Sequence, residues 1–147
     1  MTIDIQLRAA TDLDGDGLST LLTQLGYPDA ARSMAQRLPQ LLTHPDAELW
    51  VAAQQECLCG FISLHFIPQL AMAGDFARIS YFCIDEQWRG GGIGARLEQW
   101  AEQRARLRGC DRIELHCHSR RLGAHDFYRQ QGYQESPKYF YKSLNPQ

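Results

Sequence analysis

The sequence predicts a single α/β domain (α+β in the broader sense) over residues 1–147, with helices on both faces of a mixed, mostly antiparallel sheet. Three observations predict it. The 147 residues, of which 44% are hydrophobic, suffice for one core. Two apolar runs joined by a short polar turn predict an antiparallel hairpin. A strand, a helix and a strand between Phe76 and His118 predict one parallel β-α-β unit.

The first half of the chain predicts five elements. Alternating apolar residues indicate a strand over 3–8, and leucines at helical spacing indicate a helix that follows the capping residues Thr11 and Asp12 and ends at Gly26. A second helix over about 29–42 contains Pro39, which would kink or split it. Strands over 48–54 and 57–66 flank the polar turn of the hairpin.

The second half predicts a strand over 76–84, a long amphipathic helix that Gly109 ends, a strand over 112–118, a short helix over 124–131, and last strands at Tyr133 and 139–144. The buried stripe of the long helix is predicted to contain Ile93, Leu97, Trp100, Ala101 and Leu107.

Composition excludes several classes of protein. Fifteen basic and seventeen acidic residues give a net charge of −2, without the basic excess of a nucleic-acid binder. No apolar run approaches the roughly 20 residues of a membrane span. The start of the chain lacks a basic signal-peptide region, and five cysteines form no even disulfide framework. We therefore expect a cytoplasmic protein with neither nucleic acid nor membrane as a partner.

Two groups of potential metal ligands occur in the sequence, but neither has the ligand spacing that a zinc or a calcium site requires. Cys110, His116, Cys117 and His118 lack the paired spacing of structural zinc sites. The acids of residues 12–17 match half of a calcium loop, but Thr23 stands where a bidentate Glu is needed. We predict no metal site, and we interpret the acids as a helix N-terminal cap.

A glycine-rich turn lies between the strand over 76–84 and the long helix. It contains Gly90, Gly91, Gly92 and Gly94, interrupted only by Ile93. Such a turn presents several backbone N–H groups at the positive end of a helix, which is the arrangement that binds phosphate. Arg89 adds a cation at the same place. We therefore predict a phosphate-binding loop.

Three kinds of phosphate loop are possible in principle. The Gly-Lys-Ser/Thr of a Walker loop is absent. A nicotinamide-dinucleotide loop is formally matched by Gly90, Gly92 and Ala95, with Glu114 as the ribose acid, although the chain has no room for two mononucleotide-binding halves. The third kind is the acyl-CoA loop, which Arg89-x-x-Gly92-x-Gly94 resembles.

The whole chain resembles the GNAT N-acetyltransferase superfamily. Besides the acyl-CoA loop, Ala124, Tyr128 and Gly132-Tyr133 are similar to the second signature of that family, in the proper order. The resemblance implies the GNAT fold and an acetyl-CoA-dependent N-acetyltransferase. It also implies that the pyrophosphate of acetyl-CoA rests on the backbone N–H groups of Arg89, Gly90, Gly91, Gly92, Ile93 and Gly94.

The resemblance assigns further roles along the chain. The pantetheine arm would follow Phe82, Cys83 and Ile84, where a backbone N–H, that of Cys83 or Ile84, would polarise the thioester carbonyl. Tyr128 would protonate the departing thiolate. The primary amine of a small molecule would attack directly, without an enzyme nucleophile.

The residues expected to accept the proton of the amine differ from the family pattern. Many members carry Glu where this chain has Tyr81, and the Asn of the second signature is Arg121. His116 and His118, on one face of the predicted strand, are the candidate bases, with Glu114 or an ordered water as a possible helper. These departures leave open the alternative of a GNAT-like module that binds CoA without catalysis.

The sequence leaves the acceptor amine open. The chain looks like small bacterial members of the family, among which are aminoalkylphosphonate and aminoglycoside acetyltransferases. An anionic acceptor could use Arg78, Arg120 or Arg121, whereas a polycationic acceptor could use Glu48 or the acids of residues 12–16. Because many members are homodimers, the resemblance allows a homodimer.

Overall fold

The structure, a computed structural model, describes residues 4–117, 121–136 and 139–145. The chain forms two compact units, Met1–Leu115 and His116–Gln147. The second unit contains helix α4 (Leu122–Gln130). The first unit contains, in chain order, β1 (Gln6–Ala9), α1 (Gly15–Leu25), α2 (Ala31–Thr43), β2 (Ala47–Gln54), β3 (Cys57–Ile67), β4 (Asp75–Ile84), α3 (Ile93–Leu107) and β5 (Cys110–Leu115).

The five strands form one mixed sheet in the order β1-β2-β3-β4-β5. The first three pairs are antiparallel, and β4 and β5, which α3 connects, are parallel. The predicted fold class, hairpin and β-α-β unit are therefore confirmed. The parallel ladder runs from Asp75 to Ile79 of β4, whereas β4 itself continues to Ile84.

Helices cover both faces of this sheet, as predicted. Successive strand residues point to opposite faces. Val51 and Phe61 pack in a core cluster with Leu18 and Leu21 of α1 and with residues of α2. On the other face the Trp50 ring meets the Trp100 ring of α3, with a centroid separation of 5.1 Å. Helices α1 and α2 thus lie on one face, and α3 lies on the other.

The acidic run before α1 caps a short 3-10 helix, Asp12–Asp14, that leads into α1. The Thr11 hydroxyl accepts a hydrogen bond from the Leu13 N–H (3.2 Å), and Asp14 Oδ2 accepts one from the Thr11 N–H (2.8 Å). The guanidinium of Arg8 donates two hydrogen bonds, of 2.8 and 2.9 Å, to the Asp14 carboxylate, and Asp14 is only 8% exposed. The predicted cap therefore satisfies N–H groups at the start of this 3-10 helix, whereas the N-cap side chain of α1 makes no capping hydrogen bond.

Asp14→Asn is expected to destabilise the fold by about 2–3 kcal/mol at pH 7, because Arg8 then loses the anion that it faces. Hydrogen bonds from Arg8 lower the pKa of Asp14, against the effect of burial. A carboxyl group with a lowered pKa stabilises the fold above its unfolded pKa of about 3.9, and this stabilisation is lost as the pH falls through the folded value. Urea denaturation should show that the difference in the free energy of unfolding between wild type and variant becomes smaller as the pH is lowered. A gap that stays constant down to pH 2 would contradict this prediction.

The buried stripe of α3 differs from the predicted one at its C-terminal end. Leu107 is 75% exposed, so its predicted place in the stripe was wrong. The stripe follows the four-residue steps Ile93, Leu97, Ala101 and Ala105, and position 107 lies about 200° around the helix from position 105. The stripe also buries Glu98 completely. On the other face of the sheet, α2 runs through Pro39 unbroken, so the predicted split does not occur.

The predicted last strands are absent from the described residues 133–136 and 139–145. The Tyr133 N–H is bonded to the Tyr128 carbonyl (3.0 Å) in the C-terminal cap of α4, where Gly132 has a φ of 94°. That amide therefore serves the cap rather than a strand ladder. The consecutive aromatic residues 139–141 favour extended backbone, but a strand also needs a partner strand, which the local sequence does not supply.

Candidate functional site

The phosphate-loop candidate lies between the end of β4 and the start of α3. A short 3-10 helix, Glu86–Trp88, follows β4, and the Asp85 carboxylate caps it by accepting a hydrogen bond from the Gln87 N–H (2.9 Å). The Asp85 N–H donates to the Cys59 carbonyl of β3 (2.8 Å). The sheet therefore fixes the position at which the loop begins.

The loop itself has the backbone that its glycines predict. Gly90 and Gly92 have φ values of 84° and 85°, the left-handed region that side chains rarely adopt. Helix α3 begins at Ile93, and among the described residues no side chain caps its N-terminus. The first N–H groups of a helix lack intrahelical acceptors and carry the positive end of its dipole. This end of α3 can therefore donate several hydrogen bonds to an anion.

Arg89 and Gln24 connect the loop to the rest of the first unit. Arg89 donates from Nε to the Ile84 carbonyl at the end of β4 (3.1 Å). Gln24 of α1 donates from Nε2 to Asp85 Oδ2 (3.0 Å) and accepts from the Glu86 N–H at its Oε1 (3.1 Å). Sequence reasoning missed Gln24, because its partners lie about 60 positions away in the chain.

The strand residues before the loop differ in burial. Phe82 and Ile84 are half-buried, and Cys83 is 4% exposed. The Cys83 thiol lies 3.4 Å from the Leu21 carbonyl, to which it donates. These residues of β4 extend beyond the last pair of the ladder with β5. The buried position of the Cys83 thiol agrees with a packing role rather than a nucleophilic one.

A groove of about 920 Å³ lies beside these residues, between α1, α2 and the sheet. The rings of Tyr27 and Tyr81 meet edge to face across 5.4 Å and line it. Burial, and then the neighbouring Tyr27, raise the pKa of Tyr81. The apolar lining is formed chiefly by Leu18, Leu22, Met34, Leu38, Leu49 and Phe61. Sequence periodicity indicated apolar faces here, but it could not show that they leave a groove.

Three charged groups that the sequence offered to a ligand are engaged in ion pairs. Glu48 accepts two hydrogen bonds from Arg104 (2.8 and 2.9 Å). Burial alone would raise the pKa of Glu48, but the hydrogen bonds from Arg104 and Trp50 hold it below its ordinary value. Arg78 and Glu114 form an ion pair of 2.6 Å between β4 and β5. These contacts favour structural roles for Glu48, Arg78 and Glu114.

The remaining predicted site residues belong to the second unit. Tyr128 is half-buried on α4, with its ring 5.4 Å from that of Phe127 and 5.6 Å from that of Tyr133. His116 follows the end of β5 and stacks on the Tyr139 ring at 4.1 Å. His118 lies outside the described residues. Within the described part of the chain, no three His, Cys, Asp or Glu side chains are placed to hold a metal ion.

Comparisons with known proteins agree with this geometry. The profile of the Acetyltransferase (GNAT) family matches residues 16–133. An aminoalkylphosphonate N-acetyltransferase of Salmonella typhimurium is 31% identical over 140 residues, which cover 95% of this chain and 91% of that protein. None of the described helices is long and apolar enough to cross a membrane.

Solved structures share the fold along nearly the whole chain. A transcriptional regulator from Bacillus halodurans C-125 is similar with a TM-score of 0.88 and 26% identity, and the match covers 96% of this chain and 100% of that one. Glucosamine-6-phosphate N-acetyltransferase from Arabidopsis thaliana has a TM-score of 0.83 at 17% identity, over 97% of this chain and 99% of that one. The second likeness concerns the fold alone.

Proposed function

We propose that this chain, which belongs to the acetyltransferase (GNAT) family, transfers an acetyl group from acetyl-CoA to the primary amine of a small molecule. The observation that carries the proposal is the glycine loop at the N-terminus of α3, directly after β4. The mixed sheet has a single parallel pair, unlike the mostly parallel sheet of dinucleotide-binding folds. This difference argues against the nicotinamide alternative.

The loop fits the pyrophosphate of acetyl-CoA. The N–H groups of residues 89–94 would donate to the phosphate oxygens, with the positive end of the α3 dipole behind them. Gly90 and Gly92, with their positive φ values, place no side chain on the surface that the phosphates would approach. The Arg89 guanidinium, bonded through Nε to the Ile84 carbonyl, would add a positive charge at the same edge.

The reaction needs an activated thioester, a neutral amine and a proton for the leaving thiolate. A backbone N–H of Cys83 or Ile84 would donate to the thioester oxygen as negative charge develops there. The amine nitrogen then forms the new C–N bond, and the C–S bond breaks. Tyr128 would give its phenolic proton to the departing sulfur, and the proton that the attached nitrogen then loses would restore the phenol. For the base the sequence predicts His116 or His118, which His116→Gln and His118→Gln variants test.

The groove favours an acceptor that is not polycationic. Among the described residues that line it, Asp29 is the only acid, and Arg32 lies 3.8 Å from its carboxylate. Arg37 and His44 also line the groove. The 31% identical relative is named for aminoalkylphosphonates, which carry an amine and an anion. We therefore propose a small amine with an acidic group as the acceptor class.

The decisive experiment incubates the protein with acetyl-CoA and separate panels of aminoalkylphosphonates, amino acids, polyamines, aminoglycosides and short peptides. A product heavier by about 42 Da identifies acetyl transfer and its acceptor class. CoA binding without a product in any panel would favour the non-catalytic module. Thermal protection by NAD(H) and none by CoA would overturn the assignment of the loop, since a ligand raises the melting temperature only if it binds the native state.

Gln24→Leu is expected to weaken CoA binding about tenfold, because the loop loses two hydrogen bonds that hold its first turn, each worth about 1 kcal/mol. Gln103→Leu is the matched control, since Gln103 lies exposed on α3. Calorimetric titration with CoA measures both variants. If Gln24→Leu binds CoA as tightly as the wild type does, Gln24 does not anchor the loop.

A further inference from the structure

A histidine and a serine that the sequence did not single out form a short hydrogen bond beside the groove. Nδ1 of His65 on β3 lies 2.6 Å from Oγ of Ser80 on β4. Ser80 is there because of a β-bulge: the register pairs Leu64 with Ile79 and Ser63 with Tyr81, and it leaves Ser80 out. A bulge redirects the side chains around it and is frequent next to active sites.

Residues near the pair along β3 and β4 line the groove. Ser63 and Tyr81 line the groove, and His65 lies two residues from Ser63 on the same face of β3. Ser80 precedes Phe82 by two residues, about 7 Å along a strand. Phe82 begins the segment that the pantetheine arm would follow. Along β4, Ser80 therefore directly precedes the groove residue Tyr81 and the segment proposed for the pantetheine arm.

The surroundings of His65 keep its ring neutral. Desolvation lowers the pKa of His65 most, and the neighbouring His44 and Arg78 lower it further. Arg78 is itself paired with Glu114, so it lowers the pKa of His65 less than an unpaired cation would. His44, which lines the groove, accepts a hydrogen bond from the Asp46 N–H at its Nδ1 (2.9 Å). A neutral imidazole can accept a proton at neutral pH, whereas an imidazolium cannot.

We propose, on the basis of the function proposed above, that His65 is the base of the reaction. The substrate amine enters as an ammonium group, and the proton that it loses passes through the Ser80 hydroxyl to His65. The ammonium gives its proton to Oγ of Ser80 as the Ser80 hydroxyl proton passes to Nδ1 of His65. The products are a neutral amine and an imidazolium, which returns its proton to solvent after the transfer. The amine lone pair then attacks the thioester carbon. His65 is a proton acceptor that acts through Ser80.

The test is the pH dependence of kcat/KM with the amine that the panels identify. His65→Gln keeps a side chain that can bond to Ser80 but cannot titrate, so it should lower kcat about 100-fold. It should also abolish the acidic limb of the profile and leave the KM for acetyl-CoA unchanged. Ser80→Ala should lower kcat at least about tenfold, and Ser80→Thr, which keeps the hydroxyl, should recover most of the rate.

A second substrate separates proton transfer from packing. A fluorinated analogue of the same amine, with a pKa below 7, is neutral before it binds and needs no base. The defect of His65→Gln should therefore shrink towards wild-type rates with that analogue, whereas a packing defect would slow both substrates equally. Ser19→Ala on α1 is the control for loss of a hydroxyl, and thermal melting checks that each variant folds.

The outcomes distinguish this inference from the function on which it rests. A wild type that acetylates no amine overturns both. An active wild type whose rate and acidic limb survive His65→Gln overturns the role of His65 alone. An equal loss with both substrates also overturns it. If His116→Gln or His118→Gln loses the acidic limb of the pH profile and His65→Gln keeps it, the base is one of the two histidines that the sequence predicts.

Discussion

Replacing Tyr128 by Phe is expected to lower kcat at least about 100-fold, because the departing thiolate then lacks a positioned proton donor. Phe keeps the ring that packs against Phe127 and Tyr133, so the fold should survive. CoA binding and the KM for acetyl-CoA should change little, since the phenol is needed only when the C–S bond breaks. Steady-state kinetics with the amine identified in the panels measures the effect.

Tyr133→Phe is the matched control for this variant. Tyr133 is half-buried in the same aromatic cluster as Tyr128, so its replacement removes a phenol from the same surroundings. We expect near wild-type rates. Full activity of Tyr128→Phe would exclude Tyr128 as the acid. Equal losses in both variants would indicate that the cluster acts through packing rather than through one proton.

Gly92→Val is expected to weaken CoA binding at least about 100-fold. Gly92 has a φ of 85°, where a β-branched residue costs about 1–3 kcal/mol. The new side chain would also stand at the N-terminus of α3, where the phosphates must approach the backbone N–H groups. Calorimetric titration with CoA and the rise in melting temperature on CoA addition measure the loss.

The control for backbone strain lies at the other end of the same helix. Gly109 also has a positive φ, of 75°, and a Cβ added at either Gly92 or Gly109 would meet no atom within 4 Å. Gly109→Val should therefore destabilise the fold similarly and leave CoA affinity unchanged. If both variants lose affinity equally, the loop at Gly92 is not the phosphate site and the proposed cofactor position fails.

Much of the fold could be predicted because its signals are local. The hairpin, the strand before the glycine loop and the helix after it follow from periodicity and turn residues, and the structure confirms them. The boundaries of β5 moved: the strand was predicted over 112–118 and runs from Cys110 to Leu115. His116 therefore follows the strand rather than lying within it. Strand ends depend on where the partner strand stops pairing, which is not a local property.

The polar contacts of the candidate site could not be predicted, because their partners are distant in the chain. Gln24 meets Asp85 across 61 positions, and Glu48 meets Arg104 across 56. The burial of Glu98 on α3 was also unexpected, since a carboxylate normally lies on the exposed face. Helix periodicity identifies a stripe, but the neighbouring elements decide how wide the buried stripe is.

The sequence by itself determined the glycine loop of this protein. Backbone with a positive φ favours glycine, so this part of the structure is visible as glycines close together in the chain, directly before a helix. Only the tertiary structure decided which side chains meet around that loop and beside the groove. The bulge that brings Ser80 to His65 arises from the register between two strands, and register is set by the packing of the whole sheet. Local chemistry therefore predicted a phosphate-binding loop, whereas the contacts between distant strands support the proposed proton acceptor.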